Sequence, residues 1–156
     1  MRIAIGSDHR GFQLKNRIIE FLRHKGIEVV DEGTHGCDSV DYPDYASVVS
    51  GKVSRGDVER GILICGTGIG MAIAANKFLG VRAAPCNDPL TAEMSRRHND
   101  LNVLCLSADK IGESGVLERL IDVWVSTPFE GGRHARRVQK INALENTNGS
   151  CDSAAC

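Results

Sequence analysis

Gly61-Ile62-Leu63-Ile64-Cys65-Gly66-Thr67-Gly68-Ile69-Gly70 is the stretch that decides how this chain folds. A short apolar run ends in a cysteine and passes at once into glycines at every second position. The run reads as a buried strand. Glycines so spaced let a backbone turn tightly and aim its N–H groups at an anion. The following residues, Met71-Ala72-Ile73-Ala74-Ala75-Asn76-Lys77, read as a helix whose N-terminus adds positive potential. A thiol is therefore expected beside an anion cradle at the C-terminal end of a strand, where open α/β sheets bind ligands.

Working outward, strand-like runs alternate with helix-period segments. Arg2 to Gly6 reads as the first strand, and Leu14, Ile18, Phe21 and Leu22 form a helical stripe. Ile27 to Val30 is the second strand, and Ala46, Val49 and Val53 mark a helix after Asp41-Tyr42-Pro43-Asp44. Gly61 to Cys65 is the third strand. Val81 to Cys86 is the fourth, followed by a helix from Pro89 to His98, and Val103 to Leu106 is the fifth. Val116, Leu117, Leu120, Ile121 and Trp124 mark a long helix, and a last one runs from Arg133 to Glu145. This alternation predicts a single-domain α/β fold over residues 1–145. Its form is a doubly wound, Rossmann-like, five-stranded parallel sheet with helices on both faces and a C-terminal helix. The segment from Asn146 to Cys156 is polar, small and non-periodic, and reads as a disordered tail.

The length of 156 residues allows one domain with a real core. A net charge of −1 supplies no basic field, so neither nucleic acid nor a membrane surface is expected as a partner. No apolar run approaches the ~20 residues of a membrane span. The run after Met1 is too short for a signal peptide, so a mature cytoplasmic chain is expected. Six cysteines could form three disulfides, but Cys65, Cys86 and Cys105 end or occupy apolar runs, as reduced, buried cysteines do. There is no C-x-x-C pair, which speaks against zinc.

Cys65 reads first as a small hydrophobe capping a strand. The cradle and helix N-terminus beside it favour a thiolate near neutral pH, able to act as nucleophile, redox centre or proton-abstracting base. The loop is not a dinucleotide fingerprint, because Met71 stands where G-x-G-x-x-G needs its last glycine, and no Gly-Lys-Ser/Thr follows as in a phosphate-binding Walker loop. Asp8 and His9 follow the first strand. A turn or helix cap explains the aspartate but not the histidine, and both can share a crevice with Cys65. His98-Asn99-Asp100 suits a helix C-cap, with Asn99 able to take the left-handed position. Arg133 and Arg137 lie four apart, on one helical face. Such a face is commonly just solvated, yet two guanidiniums there also suit a phosphate dianion.

Taken together, these residues resemble the ribose-5-phosphate isomerase B family, which includes the galactose-6-phosphate isomerase subunits. The resemblance rests on Ile5-Gly6-Ser7-Asp8-His9, Asp41-Tyr42-Pro43-Asp44-Tyr45-Ala46, Ile64 to Gly70, Ala74-Ala75-Asn76-Lys77, Ser95-Arg96-Arg97-His98-Asn99-Asp100 and Gly131-Gly132-Arg133-His134. It covers nearly everything up to Glu145. It implies a cofactor-free, metal-free aldose–ketose isomerase that interconverts ribose 5-phosphate and ribulose 5-phosphate through an enediolate, in the non-oxidative pentose phosphate pathway. Cys65 would be the base moving a proton between C1 and C2. Thr67 and the N–H groups of Gly66, Gly68, Ile69 and Gly70 would hold the enediolate oxygens. His98 would assist ring opening. Asp8, Tyr42 and Asn99 would line the sugar, and His9, Arg133 and Arg137 would hold the phosphate. The resemblance also implies a homodimer, or a dimer of dimers, with the active site between subunits.

The chain departs from the pattern in one place. Many relatives carry an arginine in the loop after the fifth strand, where this sequence reads Ser107-Ala108-Asp109-Lys110; Asp109 falls on that position and Lys110 is the adjacent cation. Another branch lacks the cysteine and uses a glutamate where this chain has Met71, so the cysteine branch fits better. The nearest rival is a hexose 6-phosphate isomerase of the same family. A non-catalytic sugar-phosphate sensor would need no Cys65 or His98, and a thiol redox protein would need a resolving cysteine close by.

Overall fold

A computed structural model describes residues 1–111 and 115–147. Its elements are β1 (Arg2–Ser7), α1 (Phe12–His24), β2 (Glu28–Asp31), α2 (Tyr42–Arg55), β3 (Arg60–Cys65), α3 (Ile69–Ala75), β4 (Ala83–Pro85), α4 (Pro89–Asn99), β5 (Val103–Ser107), α5 (Ala108–Ile111), α6 (Val116–Ser126) and α7 (Arg133–Thr147). The strands form one sheet in the order β2-β1-β3-β5-β4, with every pairing parallel.

Alternation along the central strands sends successive side chains to opposite faces. Ile62 and Ile64 join Leu14, Ile18 and Leu22 of α1 and Leu117, Leu120, Ile121 and Trp124 of α6 in one core. Leu63 and Cys65 join Ala46, Val49 and Val53 of α2 and Met71, Ala72 and Ala75 of α3 in the other. The register of β3 thus aims Cys65 at the α2–α3 face. Gly61 is part of that fit, because a Cβ there would lie 2.7 Å from Val49 Cγ1.

Four differences from the sequence reading have local causes. β4 is shorter than Val81 to Cys86. It is an edge strand, where the Arg82 N–H turns to the Asn102 side chain (2.7 Å) and Pro85 has no N–H to give. The left-handed residue ending α4 is Asp100 (φ 47°), not Asn99, because its carboxylate reaches both Arg82 Nη2 (3.0 Å) and Arg96 Nη1 (2.9 Å). α5 is too short to leave a periodic signal. α7 continues through Asn146 and Thr147, so those two residues are helical; the rest of the expected tail, with Cys151 and Cys156, lies outside the described residues. Among the described residues, no helix is long and apolar enough to cross a membrane.

Candidate active site

Three loops meet at the C-terminal edge of the sheet, because β1, β3 and β5 are neighbours and end in register. Ser7 pairs with Ile64, and Cys65 with Ser107. The Asp8 N–H donates to the Ile64 carbonyl (3.1 Å), fastening the first loop to β3. The Gly66 carbonyl accepts from Ser107 Oγ (2.7 Å) and from the Asp109 N–H (3.2 Å), fastening the glycine loop to β5.

Cys65 is 5% exposed, and its Sγ accepts the Gly68 N–H at 3.2 Å. Hydrogen bonds to an ionised acceptor are the strong ones, so this amide is placed to steady a negative sulfur. Gly68 manages this at φ +78°, where a Cβ would stand 3.1 Å from the Leu106 carbonyl carbon and oxygen. Burial pushes the Cys86 thiol up to about 11 and the Cys105 thiol well above its ordinary value. Both are therefore protonated, inert core cysteines at neutral pH.

Asp8 is buried, and its Oδ1 accepts the N–H groups of Arg10 and Gly11, each at 3.0 Å. That is the turn role open to it from the sequence. His9 Nδ1 accepts the Val40 N–H (3.3 Å), so the proton of the neutral ring sits on Nε2. Thr67 is exposed, and its Oγ1 accepts the Ile69 N–H (3.3 Å). Of the loop amides, those of Gly68 and Ile69 thus have internal partners. The Tyr42 ring closes the far side, and a Cβ on Gly70 would lie 2.7 Å from its hydroxyl. Met71 is fully buried in the core. Lys110 is exposed on α5.

Sequence reasoning misses Arg10. Its guanidinium lies against Gly66 and donates to Asp109, so it belongs to this edge of the sheet. The available signal was the acid at 109, which calls for a cation.

The remaining candidates form a second group elsewhere. His98 and Asn99 end α4, and Arg133 begins α7. The His98 and His134 rings stack with centroids 4.2 Å apart and planes 3° from parallel. Glu130 Oε2 lies 3.9 Å from His98 Nε2 and 3.6 Å from His134 Nε2. Arg133 Nε reaches His134 Nε2 at 3.4 Å, and Arg137 is exposed one turn on. Burial first, then His98 and Arg133, push the His134 ring below the ordinary histidine value. The hydrogen bond from Arg97 Nε (2.6 Å) holds Glu130 below the ordinary carboxylate value. Donor atoms of His98, Glu130 and His134 lie within 4.8 Å of one another, close enough for a metal ion. A ring nitrogen donates in its own ring plane, however, and two parallel stacked rings share no plane for one ion.

These two groups stand at opposite edges of the sheet. α4 runs back from the C-terminal edge, and His98 is followed within a few residues by Val103, where β5 starts. Cys65 pairs with Ser107, where β5 ends. Four strand steps of about 3.3 Å put about 13 Å between those edges.

Comparison with known proteins agrees with this architecture. The model of the Ribose/Galactose Isomerase family matches residues 3–141. The chain belongs to this family. It is 48% identical over 144 residues to the ribose-5-phosphate isomerase B of Escherichia coli K12, covering 92% of this chain and 96% of that one. The Clostridium thermocellum ribose-5-phosphate isomerase B structure superposes with a TM-score of 0.92 at 49% identity, covering 96% and 100% of the two chains. The Mycoplasma genitalium ribose-5-phosphate isomerase B, solved with bound ribulose-5-phosphate, does so with 0.89 at 44%, covering 93% and 96%.

Proposed function

We propose that this chain interconverts ribose 5-phosphate and ribulose 5-phosphate, with Cys65 as the proton-transferring base. The observation that carries the reading is the Gly68 N–H on Cys65 Sγ at the sheet edge where Asp8 and His9 also stand. The near full-length likeness to ribose-5-phosphate isomerase B proteins supplies the substrate. Linear ribose 5-phosphate lies with C1 and C2 over the glycine loop. The Cys65 thiolate takes the C2 proton and the electrons pass to O1 as the enediolate forms; the O2 hydroxyl proton then passes to O1, the C2–O2 carbonyl forms, and the thiol returns its proton at C1. Thr67 and the loop amides other than those of Gly68 and Ile69, which are already engaged, hold the enediolate oxygens. Asp8, Tyr42 and Asn99 line the sugar. His98 assists ring opening by proton transfer, and His9, Arg133 and Arg137 hold the phosphate.

The reading includes a homodimer, or a dimer of such dimers, whose active sites are shared. Its support is the placement of Cys65 and His98 at opposite edges of one sheet. One subunit then supplies the Cys65 edge, and its partner supplies His98, Asn99, Arg133 and Arg137. Ile69 and Ile73, exposed one turn apart on α3, offer apolar surface for that contact. A cytoplasmic location belongs to the same reading, since a base thiol must stay reduced.

The test is to incubate the purified protein with ribose 5-phosphate, with a chelator present, and follow ribulose 5-phosphate. Allose 6-phosphate and galactose 6-phosphate run alongside. Burying one extra hydroxyl without a partner costs ~1–3 kcal/mol, so the pentose should lead by about ten-fold or more in kcat/KM. Cys65→Ala should lose turnover by ~10²–10⁴ while still binding sugar phosphate, as the loss of a general base does. Near-normal turnover in that variant would remove Cys65 from the mechanism.

A further inference from the structure

Arg10 is built into the edge of the sheet where the glycine loop lies. The Asp8 carboxylate fixes its backbone through the N–H at 3.0 Å. Its guanidinium crosses from the β1 loop to the β5 loop, where Nη2 donates to Asp109 Oδ1 and Oδ2, both at 2.7 Å. On the way it lies flat on Gly66: a Cβ there would be 2.8 Å from Nη1, 3.0 Å from Cζ and 3.2 Å from Nε. Gly66 is therefore also the residue that leaves room for an arginine. Asp109 is itself tied down, because its N–H donates to the Gly66 carbonyl.

The pair does more than stabilise. An ion pair whose side chains are 55% and 44% exposed contributes little to folding. What it provides is orientation. With Nη2 held by the carboxylate, Nη1 and Nε make no hydrogen bond among the described residues and stand over the loop that follows Cys65. A guanidinium fixed on one edge and open on the other is a receptor for a planar or bidentate anion.

We propose that Arg10 is a phosphate-binding residue of the enzyme and that Asp109 is the positioning residue that aims it. This rests on the sugar-phosphate isomerase reading above. The burial gradient chooses between the two anionic parts of the substrate. The reacting carbons must approach Cys65, which is buried, whereas Arg10 stands at the half-exposed rim. The group that meets the rim is the other end of the substrate, its phosphate.

Arg10→Ala, Arg10→Lys and Asp109→Asn are compared with the parent for KM and kcat on ribose 5-phosphate, turnover of unphosphorylated ribose, and calorimetric affinity for inorganic phosphate. Loss of a charged hydrogen bond predicts, for Arg10→Ala, about a ten-fold or larger rise in KM and in the phosphate dissociation constant. Its loss on ribose 5-phosphate should exceed its loss on ribose by a similar factor. Arg10→Lys should recover part of the phosphate affinity, and Asp109→Asn should raise KM more than it lowers kcat. Unchanged KM and phosphate affinity in Arg10→Ala overturn the proposal. So do equal losses on both sugars, which would make Arg10 structural. A parent that binds phosphate through Arg10 but does not isomerise the sugar would refute the functional reading and leave this one standing.

Discussion

Gly68→Ala tests the central claim, that the glycine loop is held against β5 to point one N–H at Cys65. Gly68 sits at φ +78°, and an added Cβ would approach the backbone of Leu106, at 3.1 Å from its carbon and oxygen and 3.3 Å from its nitrogen. The left-handed conformation costs an L-residue roughly 1–2 kcal/mol. The contact falls on the backbone of a central buried strand, which cannot swing aside, and overpacking of that kind costs typically ~1–3 kcal/mol. The two together predict a loss of about 2–5 kcal/mol. A domain stable by ~5–15 kcal/mol can absorb that and still be purified. Gly26→Ala is the matched control: its φ is +73°, and nothing lies within 4 Å of its Cβ position, so it carries the conformational cost alone. Urea unfolding of parent and both variants gives the difference. A steady-state assay should add a second loss, because relaxing the clash moves the amide off Sγ. A displaced preorganised donor costs about 10²–10³ in turnover. If Gly68→Ala proves no more destabilising than Gly26→Ala and keeps parental turnover, the loop is not held as described.

Three other outcomes are expected. His98→Asn should slow initial rates from ribose 5-phosphate, which is mostly a closed ring, more than those from ribulose 5-phosphate, which cannot close a furanose; equal losses would point to a binding or structural role. Mixing refolded Cys65→Ala and His98→Asn subunits should restore up to about a quarter of the parental activity, since random pairing into symmetric dimers leaves one intact composite site in half of them; no recovery would place the whole site within one chain. His134 titrates below its unfolded value, so the unfolded chain takes up a proton that the folded one refuses. Its contribution to stability is then complete above the unfolded value of about 6.5 and is lost as the pH falls below that toward the lower value of the folded ring. Melting temperatures between pH 8 and 5 should fall more steeply for the parent than for His134→Phe, which keeps the stacking on His98.

The fold was legible because a parallel sheet buried on both faces writes its strands as apolar runs, and short loops leave few ways to connect them. All five strands and the six longer helices could be placed from periodicity. The pieces that escaped are those whose ends are set by side chains from elsewhere. β4 begins only after Arg82, whose N–H Asn102 captures, and α4 ends on Asp100 because Arg82 and Arg96 converge on its carboxylate. Arg96 is four residues from Asp100, but no window of helix length contains Arg82 together with Asp100 or Asn102.

The site divides the same way. Cys65, Gly66, Thr67, Gly68 and Gly70 lie within six residues of one another, so their grouping is legible in the sequence alone. Asp8 and His9 join them because β1 and β3 are adjacent and parallel, which sequence can suggest but not register. His98, Arg133 and Arg137 belong to the far edge; for His98 that follows from the βαβ pattern itself, since a helix joining two parallel strands runs back to where the second begins. Arg10 is the clearest instance of what the sequence does not show. In the sequence it is one more charged residue at the start of a helix, and Asp109 is one more acid after the fifth strand. Only the strand order β1-β3-β5 places those two residues on either side of Gly66. Each explains the other: the carboxylate would be a poor neighbour for a phosphate without the guanidinium, and the guanidinium would wander over solvent without the carboxylate. A substitution at either position is therefore read correctly only against its partner, and the double change is the one to compare with the parent.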